Sequence, residues 1–120
     1  MQATAKMNYV RVSPRKARLV VNLIRGLPVA DAIEVLRMTK KGVAPKVEKV
    51  LRSAIANAEE GGSADVDELV VSAAYVNEGP RLKRLRASAM GRGHRYLHRL
   101  AHIVVEVSDG REPEEAAAEE

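Results

Sequence analysis

The chain of 120 residues contains no cysteine, no phenylalanine, no tryptophan and only three tyrosines. Without cysteine there is neither a disulfide scaffold nor a thiolate zinc site. Without aromatic rings there is no sheet platform of the kind on which some RNA-binding modules stack bases. The core is therefore expected to be aliphatic. No run of about 18 apolar residues occurs, so no membrane-spanning helix is expected. The opening stretch MQATAKMNYVRVSPRK lacks the apolar segment of a secretory signal. The expectation is a soluble cytoplasmic protein, one domain in size, burying about two-thirds of its unfolded surface.

Carboxylates are missing too, but only in places. The net charge of +4 looks mild until it is divided by position. Residues 1–58 carry 12 basic and 3 acidic side chains, and residues 59–79 carry 6 acidic and none basic. Residues 80–105 carry 7 basic and none acidic, whereas residues 106–120 carry 7 acidic and 1 basic. The local balances are +9, −6, +7 and −6. Long blocks of one sign are where affinity for nucleic acid resides.

The hydrophobic pattern places these blocks on elements. Residues 3–11 read as a short strand. Ser13-Pro14 is a helix start, with the Ser hydroxyl expected to cap free N–H groups and Pro suited to the first helical position. Ala17, Val20, Val21 and Ile24 then recur at helical spacing until Gly26 stops the run, while Arg15, Arg18, Asn22 and Arg25 line the other face. A second helix from Pro28 buries Val29, Ala32, Ile33 and Leu36, and Lys40, Lys41 and Gly42 make a basic connection. Pro45 opens a third helix. It carries Val47, Val50, Leu51, Ala54, Ile55 and Ala58 on one stripe, shows Lys46, Lys49, Ser53 and Asn57 on another, and ends at Gly61-Gly62. From Glu68 the pattern turns to β: LVVSAAYV, and later HIVVEV at 102–107 with Ile103, Val105 and Val107 on one face. The intervening GPRLKRLRASAMGRGHRYLHRLA suits two strands running past the core as a long hairpin turning near Gly91 and Gly93. About ten residues per arm reach roughly 30 Å. A helix around 81–90 is the alternative. The tail DGREPEEAAAEE is acidic and of low complexity, and is expected to be disordered.

Arg81, Lys83, Arg84, Arg86, Arg92, Arg95 and Arg99 put seven cations on the hairpin with no carboxylate among them. Phosphates supply the missing anions, and counterion release drives association. Six of the seven are arginines, which suits bidentate phosphate contacts. A solvated basic loop is the bland alternative, as it is for Arg15, Arg18 and Arg25 taken alone. His94, His98 and His102 have metal-like spacing, but cations surround them and no acidic ligand lies among them, so no metal is expected. Contacts to RNA suit them better. No enzyme signature emerges. GRG at 91–93 lacks the context of a phosphate loop, and Ser13, Ser53, Ser72, Ser88 and Ser108 lack a base and an orienting partner. The acidic residues Glu59, Glu60, Asp65, Asp67 and Glu68 read as a solvated helix end and turn.

Four fragments, taken together and in order, resemble one family. They are VRVSPRKARLVVNLIRG at 10–26, KVLRSAIANAE at 49–59, NEGPRLKR at 77–84, and GR at 91–92 followed by HIVVEV at 102–107. This order and spacing are similar to the bacterial ribosomal protein L-twenty-two family of the large subunit, from about Ala5 to Ser108. The resemblance implies an α+β fold with three helices packed on a small three-stranded antiparallel sheet and a long protruding β-hairpin. It implies a single domain over 1–108 with a hairpin extension at about 79–101; the acidic tail over 109–120 lies outside the resemblance. It also implies a structural, non-enzymatic protein that binds large-subunit (23S) rRNA, aids subunit assembly and lines the peptide exit tunnel with its hairpin. Neighbouring large-subunit proteins are implied partners, with the nascent chain a further one at the tip. No cofactor, small-molecule substrate or membrane is expected.

The residues assigned to rRNA are Arg11, Ser13, Arg15, Lys16, Arg18, Arg25, Lys40 and Lys41 in the body. In the hairpin they are Arg81, Lys83, Arg84, Arg86, Arg92, His94, Arg95, His98, Arg99 and His102. By the same resemblance Lys83, Arg84, Leu85, Arg86, Ala87, Ser88, Ala89, Met90, Gly91 and Arg92 form the tip on the tunnel wall. Two departures stand out. Ala87-Ser88 replaces the common Pro-Arg and removes one basic tip contact, and HRLAH at 98–102 replaces the common Lys-Arg-Thr-Ser-His. A free-standing basic regulator of RNA or DNA is the competing reading, and an enzyme acting on an RNA-like substrate a more distant one. Co-sedimentation with large subunits separates the first from the ribosomal reading, and turnover lost on a single substitution would mark the second.

Overall fold

A computed structural model describes residues 2–61, 68–87, 91 and 93–109, with backbone alone for 84–87 and 94–98. The elements are β1 (Gln2–Val10), α1 (Pro14–Ile24), α2 (Val29–Met38), α3 (Ala44–Glu60), β2 (Val70–Ala87) and β3 (Gly93–Ser108). The sheet runs β1-β3-β2, antiparallel throughout. The expected α+β class is what is found. The helical alternative at 81–90 is not: the backbone is extended through Ala87 and pairs Arg81 with Arg99, Lys83 with Leu97 and Ala87 with Gly93. Ser88, Ala89, Met90, Arg92, Asp65, Asp67 and the tail 110–120 lie outside the described residues.

Alternation puts Ala101, Ile103, Val105 and Val107 of β3 on the helix-covered face, all fully buried. Against them pack the apolar stripe of α3 and Ala17, Val20, Val21 and Ile24 of α1. Ile33 and Ile55 are half-buried rather than fully buried. The start of α1 corrects one expectation. Ser13 makes no side-chain capping bond; its carbonyl instead accepts the Ala17 N–H at 3.1 Å, and Pro14 occupies the first turn. The fixed φ of Pro14 begins this helix, not the hydroxyl.

The outer strands each carry more residues than β3 can pair. One extra residue enters β2 between Val71 and Ala73, one enters β1 between Met7 and Val10, and one enters β2 between Glu78 and Arg81. A period of two would send Val71 and Ala74 to opposite faces; the bulge at Ser72 lets both point inward. The other two bulges flank Ala101, the residue paired with both Val10 and Glu78. In β1 the bulge holds Tyr9 at φ 59°, a left-handed conformation that non-glycine residues seldom adopt. Its N–H donates to His102 Nδ1 at 3.1 Å, and the two rings meet edge to face at 5.0 Å. In β2 Gly79 passes so near the other strand that a Cβ there would lie 3.1 Å from the Leu100 carbonyl oxygen.

Both sheet edges are closed from the helical layer. On the β2 side Arg18 donates through Nε and Nη2 to the Val76 carbonyl at 3.3 and 3.1 Å. Arg25 does the same to the Ala74 carbonyl at 3.2 and 2.6 Å. Gly26, at φ +83°, then turns the chain alongside β2. Its N–H reaches Val71 O at 2.9 Å, Val71 N–H returns to Leu27 O at 2.9 Å, and Val29 N–H reaches Leu69 O at 3.2 Å. On the β1 side Asn57 of α3 donates to the Thr4 carbonyl at 2.9 Å. The second and third helices are clamped by Glu48, whose Oε1 accepts from Arg37 at 3.2 Å and from Arg52 at 3.0 Å. The Arg52 hydrogen bond, with Arg37 adding to it against a partial loss of hydration, holds the Glu48 carboxyl below its ordinary value of 4.5.

Two outcomes follow for stability. Arg25→Ala leaves the Ala74 carbonyl without its forked donor and is expected to cost about 1 kcal/mol, lowering Tm by about 4 °C in a domain of this size. Arg25→Lys recovers part of this, since an ammonium cannot make the forked contact; an unchanged Tm for the Ala variant would contradict the account. Glu48→Gln removes a carboxylate whose folded pKa is depressed. The wild type is therefore more stable than the variant above pH 4.5, and the gap closes as pH falls through the lowered folded value. Urea titrations at pH 7 and pH 3 test this; an equal gap at both would show that Glu48 acts through packing alone.

Candidate nucleic-acid interface

The basic side chains divide into those the fold consumes and those it turns outward. Arg18 and Arg25 are spent partly on β2 carbonyls, and Arg37 and Arg52 on Glu48. His102, half-buried, accepts the Tyr9 N–H and so holds the bulge at the hairpin root. Ser13 is half-buried at the start of α1. In contrast Arg11, Arg15, Lys16, Lys40 and Lys41 are exposed on the body, and Arg81, Lys83 and Arg99 on the hairpin. For Arg84, Arg86, His94, Arg95 and His98 the described backbone puts them on the paired arms.

The outward group is continuous across elements distant in sequence. Arg11 and Lys16, either side of the β1–α1 turn, share a cleft with Lys41 and Lys46 from the α2–α3 connection. Pro14, in the first turn of α1, shares a narrow crevice with Arg81 and Arg99, the first register pair of the hairpin beyond the bulge, and with Glu78. One cationic band thus runs from the front of α3, across the start of α1, to the hairpin root. Lys46 is the member that sequence reasoning left out of the binding set. Its periodicity placed it on a polar face of α3, and nothing local linked it to Arg11, 35 positions earlier.

Of the acidic block, Glu78 lies at the hairpin root beside Arg81 and Arg99, and the other described members lie elsewhere. Glu59 and Glu60 are exposed at the far end of α3, about 20 Å along the axis from Lys46 at 1.5 Å per residue. Glu68, also exposed, precedes β2. This placement runs against the helix macrodipole. The first turns of α1 and α3 contain no acidic residue, and the last turn of α3 contains no basic one. Each cation at a helix N-terminus forgoes about 0.3–1 kcal/mol relative to the opposite arrangement. Helix stability therefore does not explain the positions of Arg15, Lys16 and Lys46. Among the described residues no group of three or more His, Asp or Glu is arranged to hold a metal ion, and no helix is long and apolar enough to cross a membrane.

Comparison with known proteins accounts for the same features. The family model described as "Ribosomal protein L22p/L17e" matches residues 5–108. The chain is 58% identical over 110 residues to "Large ribosomal subunit protein uL22" of Solibacter usitatus, covering 91% of this chain and 97% of that one. It is 54% identical over 112 residues to the protein of the same name from Oceanobacillus iheyensis, covering 93% and 99% of the two chains. The Staphylococcus aureus protein is 51% identical over 112 residues, with 93% and 96% covered. By the family match over residues 5–108 and identities above 50% across nearly the whole of both chains, this chain is a member of the ribosomal protein L22p/L17e family.

Proposed function

We infer that this protein is a structural component of the large ribosomal subunit, working in the cytoplasm where the ribosome works, and that it acts by holding rRNA rather than by catalysing a reaction. The observation that carries the reading is the group of outward cations on the body together with a hairpin without a carboxylate between Pro80 and Val105. A protruding two-stranded arm with no internal anions is suited to lie among phosphates. Membership of the family supports the same role.

In this reading residues 1–108 act as one unit, and the acidic segment 109–120 is not part of the rRNA-binding set. Arg11, Arg15, Lys16, Lys40 and Lys41 neutralise phosphates against the body. Arg81, Lys83, Arg84, Arg86, Arg92, Arg95 and Arg99 do so along the hairpin, with His94 and His98 as further RNA contacts. Arg18 and Arg25 contribute with donors left over from their β2 contacts, while Ser13 and His102 support the surface from within. The hairpin extends between 23S rRNA segments to the exit tunnel, so that residues 83–92 border the nascent chain, and neighbouring large-subunit proteins flank the body. Phosphate and shape, not base stacking, dominate recognition by a chain with so few rings.

Two measurements test this. The protein is expected to co-sediment with 50S particles, and recovery only from ribosome-free fractions would sink the proposal. Replacing Lys83, Arg84 and Arg86 together with Ala is expected to weaken 23S rRNA binding and to flatten the log–log salt dependence by about one unit per lost phosphate contact. An unchanged slope would mean that these side chains do not meet phosphate.

A further inference from the structure

The cleft at one end of the cationic band differs from the rest of the surface. It encloses about 500 Å³, within the range of small-ligand sites and far above what a phosphate alone occupies. Its cations are Arg11, Lys16, Lys41 and Lys46. Its floor is aliphatic: Val43 is buried, Val12 half-buried, and Leu19 is 58% exposed although it sits on a helix with ample buried surface nearby. No carboxylate lines it. The nearest acidic residue in sequence to Lys46 is Glu48, which is held between Arg37 and Arg52. A site meant only for backbone phosphates has no use for an apolar floor, and an apolar protein partner would not call for four cations.

We propose that this cleft takes one unstacked nucleotide of the bound RNA, its base lying on the aliphatic floor and its flanking phosphates held by the four cations. The inference rests on the rRNA-binding role and adds a subsite to it. The missing aromatics do not oppose it, because the face of a base gains from leaving water for an aliphatic surface while its polar edge stays in the open mouth of the cleft. The front of α3 supplies side chains rather than free amides: Ala44 N–H is bonded to Lys41 O, Pro45 has none, and Lys46 N–H is bonded to Val43 O. Lys16 and Lys46 each stand in a first helical turn that disfavours a cation, so both gain when an anion enters. The elements concerned are separate in sequence but fixed by the core through the buried Val20 and Val47, so the cleft is formed before RNA arrives.

The experiment titrates the full chain with a single-stranded adenine hexanucleotide, a blunt RNA duplex with matched phosphates, AMP and 23S rRNA. The methyl resonances of Val12, Leu19 and Val43 are followed in the short-ligand titrations. The hexanucleotide is expected to shift all three, the duplex to leave them in place, and AMP to bind far more weakly. Leu19→Ala, at an exposed position that folding does not depend on, is expected to weaken hexanucleotide binding about three- to tenfold with an unchanged salt slope. Lys46→Ala is expected to reduce the slope by about 0.7. If the chain binds 23S rRNA but neither substitution affects the hexanucleotide, the nucleotide site is wrong and the ribosomal role stands. Equal methyl shifts with the duplex overturn base insertion, and AMP binding as tight as the hexanucleotide overturns RNA as the occupant. No binding of 23S rRNA by the unsubstituted chain overturns the role and the subsite together.

Discussion

The interaction on which the structure turns is the closing of the outer edge of β2 by two arginines of α1. A three-stranded sheet leaves two edges, and an open edge is a template for unwanted pairing. Here the carbonyls of Ala74 and Val76 are taken by Arg25 and Arg18, and the next stretch of the edge by Gly26 to Val29. The consequence is positional. Tied down at Arg18 and Arg25, α1 can lie on the sheet in only one way, with its apolar stripe inward and its first turn toward the hairpin root. The cationic band depends on that orientation, since Pro14 must meet Gly79 for the body and the hairpin to share one surface.

The same arrangement sorts the cations. A guanidinium is planar and forked, so it can satisfy a carbonyl and still present other N–H groups. Arginine is accordingly found where charge is held at a structural joint, at residues 18, 25, 37 and 52. The cations exposed on the body, Arg11, Arg15, Lys16, Lys40, Lys41 and Lys46, include both residue types and take part in none of these joints. The division shows why a charge count says little about binding. Part of the basic block in residues 1–58 closes the sheet and joins α2 to α3, and what remains lies mainly around the first turns of α1 and α3. Those remaining cations are electrostatically misplaced for an isolated protein and well placed for one surrounded by phosphate.

What was legible in the sequence was whatever depends on near neighbours. The spacing of Ala17, Val20, Val21 and Ile24 gave α1 its buried face, Gly26 its end, and the alternation of Ile103, Val105 and Val107 the central strand. The hairpin was legible because seven cations in a β pattern cannot form a buried helix. The bulges were not, because an extra residue is defined only by the strand opposite: nothing in Asn8-Tyr9 shows that β3 supplies one residue fewer. The structural role of His102 was hidden for the same reason: its partner, the Tyr9 N–H, is offered for bonding only after the bulge forms. The hydroxyl of Ser13 was misread because the local motif permits a cap without requiring one: Pro14 fixes the first turn, and the hydroxyl makes no capping bond. The cleft was beyond reach altogether, being assembled from three segments that a linear pattern cannot bring together.

The paired bulges explain why these hidden features matter. Each bulge adds a local bend and twist, and two of them, on opposite sides of Ala101, act on the central strand at one level. Below that level the sheet is buried under helices; above it the two arms continue without a third strand or a helical cover. A smooth strand pair would carry the twist of the body straight into the hairpin, and any error in the body would be magnified at its tip. A left-handed Tyr9, a His102 acceptor and a Gly79 where a Cβ would crowd the Leu100 carbonyl together hold the bend at the root. An arm that must find a path among RNA segments needs its direction set before it meets them, because a misdirected row of arginines binds whatever phosphate it reaches first. The strain at the root is therefore the counterpart of the charge on the arm: one decides where the hairpin points, and the other ensures that it stays where it arrives.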